Sequence, residues 1–392
     1  MTMATGRWRR VWAAVGLIPA LWMGCAPLPA GETAWSGGRY AGRFDGSPVR
    51  LPSAYREAGE EMRGIWVATV NNTDFPTCAT WEEFRQRWRQ LTVQLAQDKF
   101  NAVFFQVRPT NDAFYPSKLN PWSRFLAGTE GRAPEGDFDP LAFMIQEAHR
   151  NGLEFHAWLN PYRVIGTTNL SCNAYLNTLA PDNFARKNPN LVLDAVIDGK
   201  RRLVLNPGEP QVRGFVAATV MELVRNYPLD GIHFDDYFYP DNTPEEADRA
   251  TFRKYNAQGM SLGDWRRNNV NLLVQDVHRQ IAVWNRQNGR SVRFGISPFG
   301  IWRNRKSSPA GSLTGGSESY EAHCADSLRW IQAGWIDYIV PQIYWDFNQD
   351  VAAYAALCDW WSKAVRGTGV DLYIGLADRK STRLNSSHGY IS

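Results

Sequence analysis

The sequence has little with which to hold a metal ion. Its six histidines are scattered and show none of the ligand spacings that zinc sites use, so neither a structural nor a catalytic metal is expected. Charge of one sign is equally scarce. A net charge of +4 over 392 residues gives no support for a nucleic-acid partner. No G-x-S-x-G turn presents a nucleophilic serine, and no glycine-rich nucleotide fingerprint follows the first expected strand. No cofactor is expected. Long apolar runs are missing too, since the one at residues 11–23 is too short to span a bilayer comfortably.

What remains is an ordinary globular composition, 44% hydrophobic and 21% charged, long enough for one decorated α/β barrel or two smaller domains. Seventeen tryptophans and fifteen tyrosines suit either a large core or aromatic platforms for sugar rings. The two ends stand apart. Arg7, Arg9 and Arg10 precede the apolar run, as in a targeting segment. Leu21-Trp22-Met23-Gly24-Cys25 is similar to a bacterial lipobox. Residues 1–25 are therefore expected to be a lipoprotein signal, with a lipid anchor on Cys25 holding the protein to the membrane. Ala26, where Asp would favour retention in the inner membrane, points to the outer membrane facing the periplasm; secretion is the alternative. Residues 26–60, rich in Gly, Pro and Ser, read as a flexible tether. Residues 378–392 are polar, unpatterned and similar to a translated sequencing-adapter remnant, and are left out of the fold reasoning.

Between these ends strands and helices alternate. Strands are expected over residues 63–70, 100–109, 153–163, 229–235, 292–302, 337–345 and 371–377. Helices are expected near residues 81–99, 140–151, 210–227, 261–288, 318–333 and 351–365. Thr80 with Glu83 makes a capping box for the first. Segments 191–193 and 202–205 are placed to pair as a hairpin across Asp198-Gly199. Regular βα alternation implies a parallel sheet with right-handed crossovers. Residues 61–377 are thus expected to form a TIM (β/α)8 barrel that stops before its eighth strand. A doubly wound open sheet is the runner-up.

Strand alternation gives each strand an apolar outer face and a polar inner one. Val103, Phe105 and Val107 oppose Phe104, Gln106 and Arg108. Phe155, Ala157 and Leu159 oppose His156, Trp158 and Asn160; Ile339, Pro341 and Ile343 oppose Val340, Gln342 and Tyr344. The fourth strand carries Gly231, His233 and Asp235 inward and runs straight into Asp236-Tyr237-Phe238-Tyr239-Pro240. Barrel enzymes place their chemistry at such carboxyl ends. Buried polar groups there need partners or a ligand.

The same stretches carry a family resemblance. Arg63-Gly64-Ile65-Trp66, Phe104-Phe105-Gln106-Val107-Arg108-Pro109, His156-Ala157-Trp158-Leu159-Asn160-Pro161-Tyr162-Arg163, residues 230–239 and Pro341-Gln342-Ile343-Tyr344-Trp345 occur in order. Together they closely resemble the glycosyl-hydrolase-like family 10. That resemblance implies a TIM-barrel glycosidase acting on peptidoglycan glycan strands stripped of their stem peptides, which agrees with an envelope lipoprotein. The alternatives are a glycan-binding barrel without catalysis and a hydrolase of another extracellular polysaccharide.

Glycosidic hydrolysis needs two carboxyl groups around an oxocarbenium-like transition state. Asp235 is the first expected, held ionised as nucleophile or base by Arg108 or Arg163. For the second, the resemblance ranks Asp236 first, Asp346 next and Asp112 third. No glutamate occupies a strand end, so a raised-pKa glutamic acid is not evident. Trp158, Tyr237, Tyr344 and Trp345 are expected to stack on sugar rings. Asn160, Arg163, Arg303 and Gln342 are expected to bind hydroxyl, acetamido or lactyl groups. Arg108, His156 and His233 share the inward face and join this binding set, although the two histidines also suit a paired core. Cys78 and Cys172 fall in loops where a disulfide is conceivable, and Cys324 and Cys358 on helices. A monomer is expected.

Overall fold

The computed structural model describes residues 32–35, 49–52, 61–78, 80–133, 136–345 and 349–377. The expected signal segment with Cys25 and the 378–392 tail lie outside them. Within the expected tether, β1 (Glu32–Trp35) and β2 (Val49–Pro52) pair antiparallel.

The body is organised by one seven-stranded sheet. Its strands are β3 (Gly64–Val67), β4 (Ala102–Arg108), β5 (Glu154–Leu159), β9 (Gly231–Phe234), β10 (Arg293–Ile296), β11 (Tyr338–Ile339) and β12 (Asp371–Leu372). Every pairing is parallel, and each strand lies beside the one before it in the chain once an excursion over residues 163–205 is set aside. That unreversed order is the winding of a barrel; a doubly wound sheet reverses direction at a switch point. The sheet also curls. A Cβ built on Gly375, just past β12, would sit 3.2 Å from the Trp66 ring of β3 at the opposite edge.

The helices pack on the outer face. Thr80 caps the Trp81–Gln97 helix by accepting from Glu83 N, Asp139 caps Pro140–Arg150, and Ser261 caps Leu262–Asn288. The helix expected over residues 318–333 is instead two short ones, Ser319–Ala322 and Ser327–Gln332. Cys324 between them takes a left-handed φ of 54°, which no helix continues through. Cys324 is therefore buried outside any helix, whereas Cys358 lies on Tyr354–Val365. Cys78 and Cys172 are both unpaired.

The excursion after β5 forms a second sheet. β7 (Val192–Ile197) and β8 (Lys200–Leu205) make the expected hairpin, with positive φ at Asp198 and Gly199 as a tight primed turn requires. The pattern did not show its third strand, β6 (Arg163–Thr168), which pairs with β8.

Alternation sorts the core as expected. Val103, Phe105, Val107, Phe155, Ala157 and Leu159 join the main apolar core with the helix residues Trp88, Leu141 and Met144. Phe104, Tyr338 and Val340 fill the inside of the curled sheet with Trp66 and Tyr373. His156 and His233 belong to this floor. Both donate to or accept from Tyr338 Oη, at 2.9 and 3.3 Å, and the His233 ring stacks on the Tyr338 ring. Rings this large leave no room opposite. A Cβ on Gly231 would lie 2.1 Å from His156 Nδ1, and one on Gly295 2.1 Å from the Tyr338 ring.

Candidate active site

Above that floor, at the end of β9, Asp235 and Asp236 are both buried. Asp235 is held from three elements. Asn160, just past β5, donates through Nδ2 to Asp235 Oδ2, and Trp158 Nε1 donates to the same oxygen at 3.3 Å. Arg163 Nη2 stands 3.9 Å from it. Tyr237 N donates to Oδ1 at 3.3 Å. The Arg163 guanidinium also lies 4.0 Å over the Tyr237 ring, a cation–π contact that fixes both.

These donors do not keep Asp235 ionised at low pH, as the sequence led us to expect. Burial dominates, and with the nearby charge of Asp236 it pushes the Asp235 carboxyl up to about 7 against the opposing pull of Arg163. The chain therefore has a raised-pKa acid after all, an aspartic one. The Asp236 carboxylate accepts no hydrogen bond among the described residues, and its charge is felt by Tyr237, Tyr344 and His323 around it.

The other expected site residues separate by height. Trp158, Asn160, Arg163 and Tyr237 touch Asp235. Tyr344, 39% exposed, stands at the rim, and the half-buried Trp345 meets the Phe299 ring edge-on at 5.2 Å. Gln342 donates to Ser297 O at 2.9 Å and ties the end of β11 to that of β10. Asp346 lies outside the described residues.

Five residues take other parts than expected. Arg108 is fully buried, and its guanidinium donates to Asn160 O, Pro161 O, Asn111 Oδ1 and Asn120 Oδ1. These four bonds brace the loops, and burial closes the group to substrate. His156 and His233 are sealed in the floor below the carboxylates, as described above. Asp112 is spent on Thr110 N, Thr110 Oγ1 and Ser123 Oγ. Arg303 is tied to Glu318 and Glu321 at 3.5 Å each, and among the described residues no contact connects it to Asp235.

Two groups were missed. Gln106 sits beneath Asn160 and donates to its Oδ1 at 2.6 Å; its place on the polar face of β4 was visible, its contact was not. His323, only 9% exposed, forms an ion pair through Nε2 with Asp241, which Arg202 of β8 approaches at 3.7 Å. Burial would lower the His323 pKa, but the hydrogen bond and charge of Asp241, with Asp236 beyond, outweigh it and raise it. No periodicity announces such a residue, because it ends the short Ser319–Ala322 helix just before the left-handed turn at Cys324.

A curled parallel sheet with a buried acid, a second carboxylate and aromatic rings at its carboxyl-terminal mouth is the architecture of glycoside-hydrolase barrels. Comparison with known proteins agrees. Residues 61–390 match the family described as Glycosyl hydrolase-like 10, and the chain belongs to that family. It is 43% identical over 333 residues to Glycosyl hydrolase YngK of Bacillus subtilis (strain 168), an alignment covering 83% of this chain and 62% of that protein. With Glycosyl hydrolase DigH of Escherichia coli (strain K12) it shares 39% identity over 339 residues, 83% of this chain and 75% of the relative. The chain thus spans less than two thirds of the first relative's length. Among solved structures, the PgaB (BpsB) glycoside hydrolase domain from Bordetella bronchiseptica superposes with a TM-score of 0.53 at 15% identity, covering 85% of this chain and 92% of that one. That likeness shows the fold.

Proposed function

We propose that this protein is a glycoside hydrolase that cleaves peptidoglycan glycan strands, preferring those stripped of stem peptides, with Asp235 and Asp236 as its working carboxylates. The observation that carries the reading is the unequal pair at the end of β9. One carboxyl is buried and pushed up to about 7; the other accepts no hydrogen bond among the described residues. Two like charges this close do not ionise together cheaply, so the pair enters catalysis sharing one proton. Asp235, the better buried, delivers it to the glycosidic oxygen as the bond to the leaving sugar breaks. Asp236 supplies the second carboxyl beside the positive carbon that develops, and water adds to that carbon, its proton restoring the one the pair gave up. Trp158, Tyr237, Tyr344 and Trp345 supply ring faces for the sugars, and Arg163 supplies a cation for a hydroxyl, acetamido or lactyl oxygen. A lipid on Cys25 would hold the barrel at the outer membrane, beside this substrate.

The test uses purified glycan strands with and without stem peptides. Fragments are followed by chromatography and mass spectrometry for the wild type, Asp235→Asn and Asp236→Asn. Each variant should lose about 10²–10⁴-fold in kcat, the range for removing a positioned acid or base, while still binding strands. Binding without cleavage by the wild type as well would replace this reading with a non-catalytic glycan-binding barrel. Cleavage of other polysaccharides only would redirect the substrate.

A further inference from the structure

The side-chain amide of Asn160 is not free to choose which end it shows to Asp235. Backbone N–H groups only donate, so the Gln106 atom facing Thr69 N and Val70 N, at 2.9 Å each, must be its oxygen. Gln106 Nε2 then faces Asn160 Oδ1 at 2.6 Å, which leaves Asn160 Nδ2 pointing at Asp235 Oδ2. A further bond, from Thr69 Oγ1 to Gln106 O at 2.7 Å, holds the loop after β3 against β4. Both amides are buried, so water does not compete for them.

We propose that Gln106 is a positioning residue for the carboxyl chemistry. It transmits the polarity of two backbone N–H groups through Asn160, making Asp235 Oδ2 a permanent acceptor and placing the exchangeable proton on Oδ1. Oδ2 already faces the N–H groups of Asn160 and Trp158 and the Arg163 guanidinium, and a proton there would be aimed at donors. Among the described residues Oδ1 meets a single donor, the Tyr237 N–H at 3.3 Å. The oxygen that carries the proton is thereby chosen before substrate arrives, which is preorganisation of an acid by a residue that never touches the sugar. The consequence for rate rests on the glycosidase reading; the consequence for the Asp235 proton does not.

The experiment compares wild type, Gln106→Met and Gln106→Glu. Methionine removes both ends of the relay and leaves Asn160 free to turn. Glutamate still accepts from Thr69 and Val70 but presents a second acceptor to Asn160, which must turn its oxygen to Asp235. The Asp235 titration, followed by carboxyl carbon NMR with Asp235→Asn as the assignment control, should move upward in the order wild type, methionine, glutamate. The glutamate variant should shift by about one pH unit or more, a tenfold change in proton affinity. In cleavage assays its kcat should fall by roughly 10–100-fold with KM nearly unchanged, the pattern of a lost transition-state interaction. A folded Gln106→Glu variant with the wild-type Asp235 midpoint overturns the proposal. If that variant does not fold, exchange of the Asn160 side-chain amide protons decides: slow in wild type and faster in Gln106→Met as expected, or unchanged, which overturns it. Absence of cleavage by the wild type counts against the glycosidase reading alone, because the titration order still judges Gln106.

Discussion

At the scale of single residues, Asp235 sets function against stability. Its carboxyl is pushed from an ordinary 3.8 to about 7 by burial, with Asp236 adding to the shift. The folded state therefore holds a proton that the unfolded chain releases, and the contribution of this group to stability is full below pH ~3.8 and lost as pH rises through ~7. Asp235→Asn, which has no charge to bury, should be more stable than wild type at pH 8 by roughly 1–3 kcal/mol, with the gain shrinking toward pH 4. Urea denaturation at both pH values measures it; an equal or lower midpoint at pH 8 would show that the buried carboxyl imposes no penalty. Cleavage should also fall as pH rises past ~7, since the acid form is the working one. His323 titrates with the same sign for a different reason, because its partner Asp241 favours the charged ring. Its stabilisation is present below pH ~6.5 and lost above its raised folded pKa. His323→Gln should lower stability by about 1.5–3 kcal/mol at pH 5.5, the worth of a hydrogen bond to a charged group. The difference from wild type should narrow by pH 9; a constant difference across that range would rule out the protonated pair.

At the scale of elements, the strands show what alternation reveals and what it conceals. The period of two assigned Val103, Phe105 and Val107 to the helix side and Phe104, Gln106 and Arg108 to the inside, and the packing agrees. Alternation says which face a residue takes, not how high it sits within the barrel. Arg108, His156 and His233 were for that reason grouped with Asn160 and Asp235, although they belong to a brace and a floor. The height of that floor is set by ring size and by the glycines opposite, which is a three-dimensional packing condition. The same limit hid His323, whose position depends on a left-handed turn at Cys324. The Gly–ring pairing gives its own prediction. In Gly231→Ala the new methyl would overlap His156, so the ring or the strand must shift, at about 1–3 kcal/mol or more. Thr80→Ala, which removes only a helix cap, should cost about 1 kcal/mol. Chemical denaturation of the two variants should rank them in that order, and a Gly231→Ala variant as stable as wild type would mean that the floor is loosely packed.

At the scale of the molecule, the question is what keeps a seven-stranded sheet curled. Among the described residues no strand joins β3 to β12, so no backbone ladder among them holds these two edges together. The inside of the sheet supplies another means. Trp66 projects from β3 toward the opposite edge, where its ring lies against Gly375 and packs in one cluster with Phe104, Tyr338 and Tyr373. Its Nε1 also approaches His233 Nε2 at 3.4 Å, which links the gap to the floor beneath Asp235. A side chain that spans two sheet edges contributes to curvature as well as to burial, and curvature decides whether Asn160, just past β5, and Gln342, after β11, face one mouth. Trp66→Ala should therefore destabilise the protein by about 3 kcal/mol, within the range for emptying a large aromatic site. It should also disturb the distant rim, where Tyr344 and Trp345 sit. Trp66→Phe keeps a ring across the gap and should recover most of the loss, forfeiting mainly the contact with His233. Denaturation midpoints, paired with hydrogen exchange over residues 338–345, separate the two effects. If Trp66→Ala lowers the midpoint but leaves exchange at that rim unchanged, the ring is ordinary core and the curl is held by the helices outside.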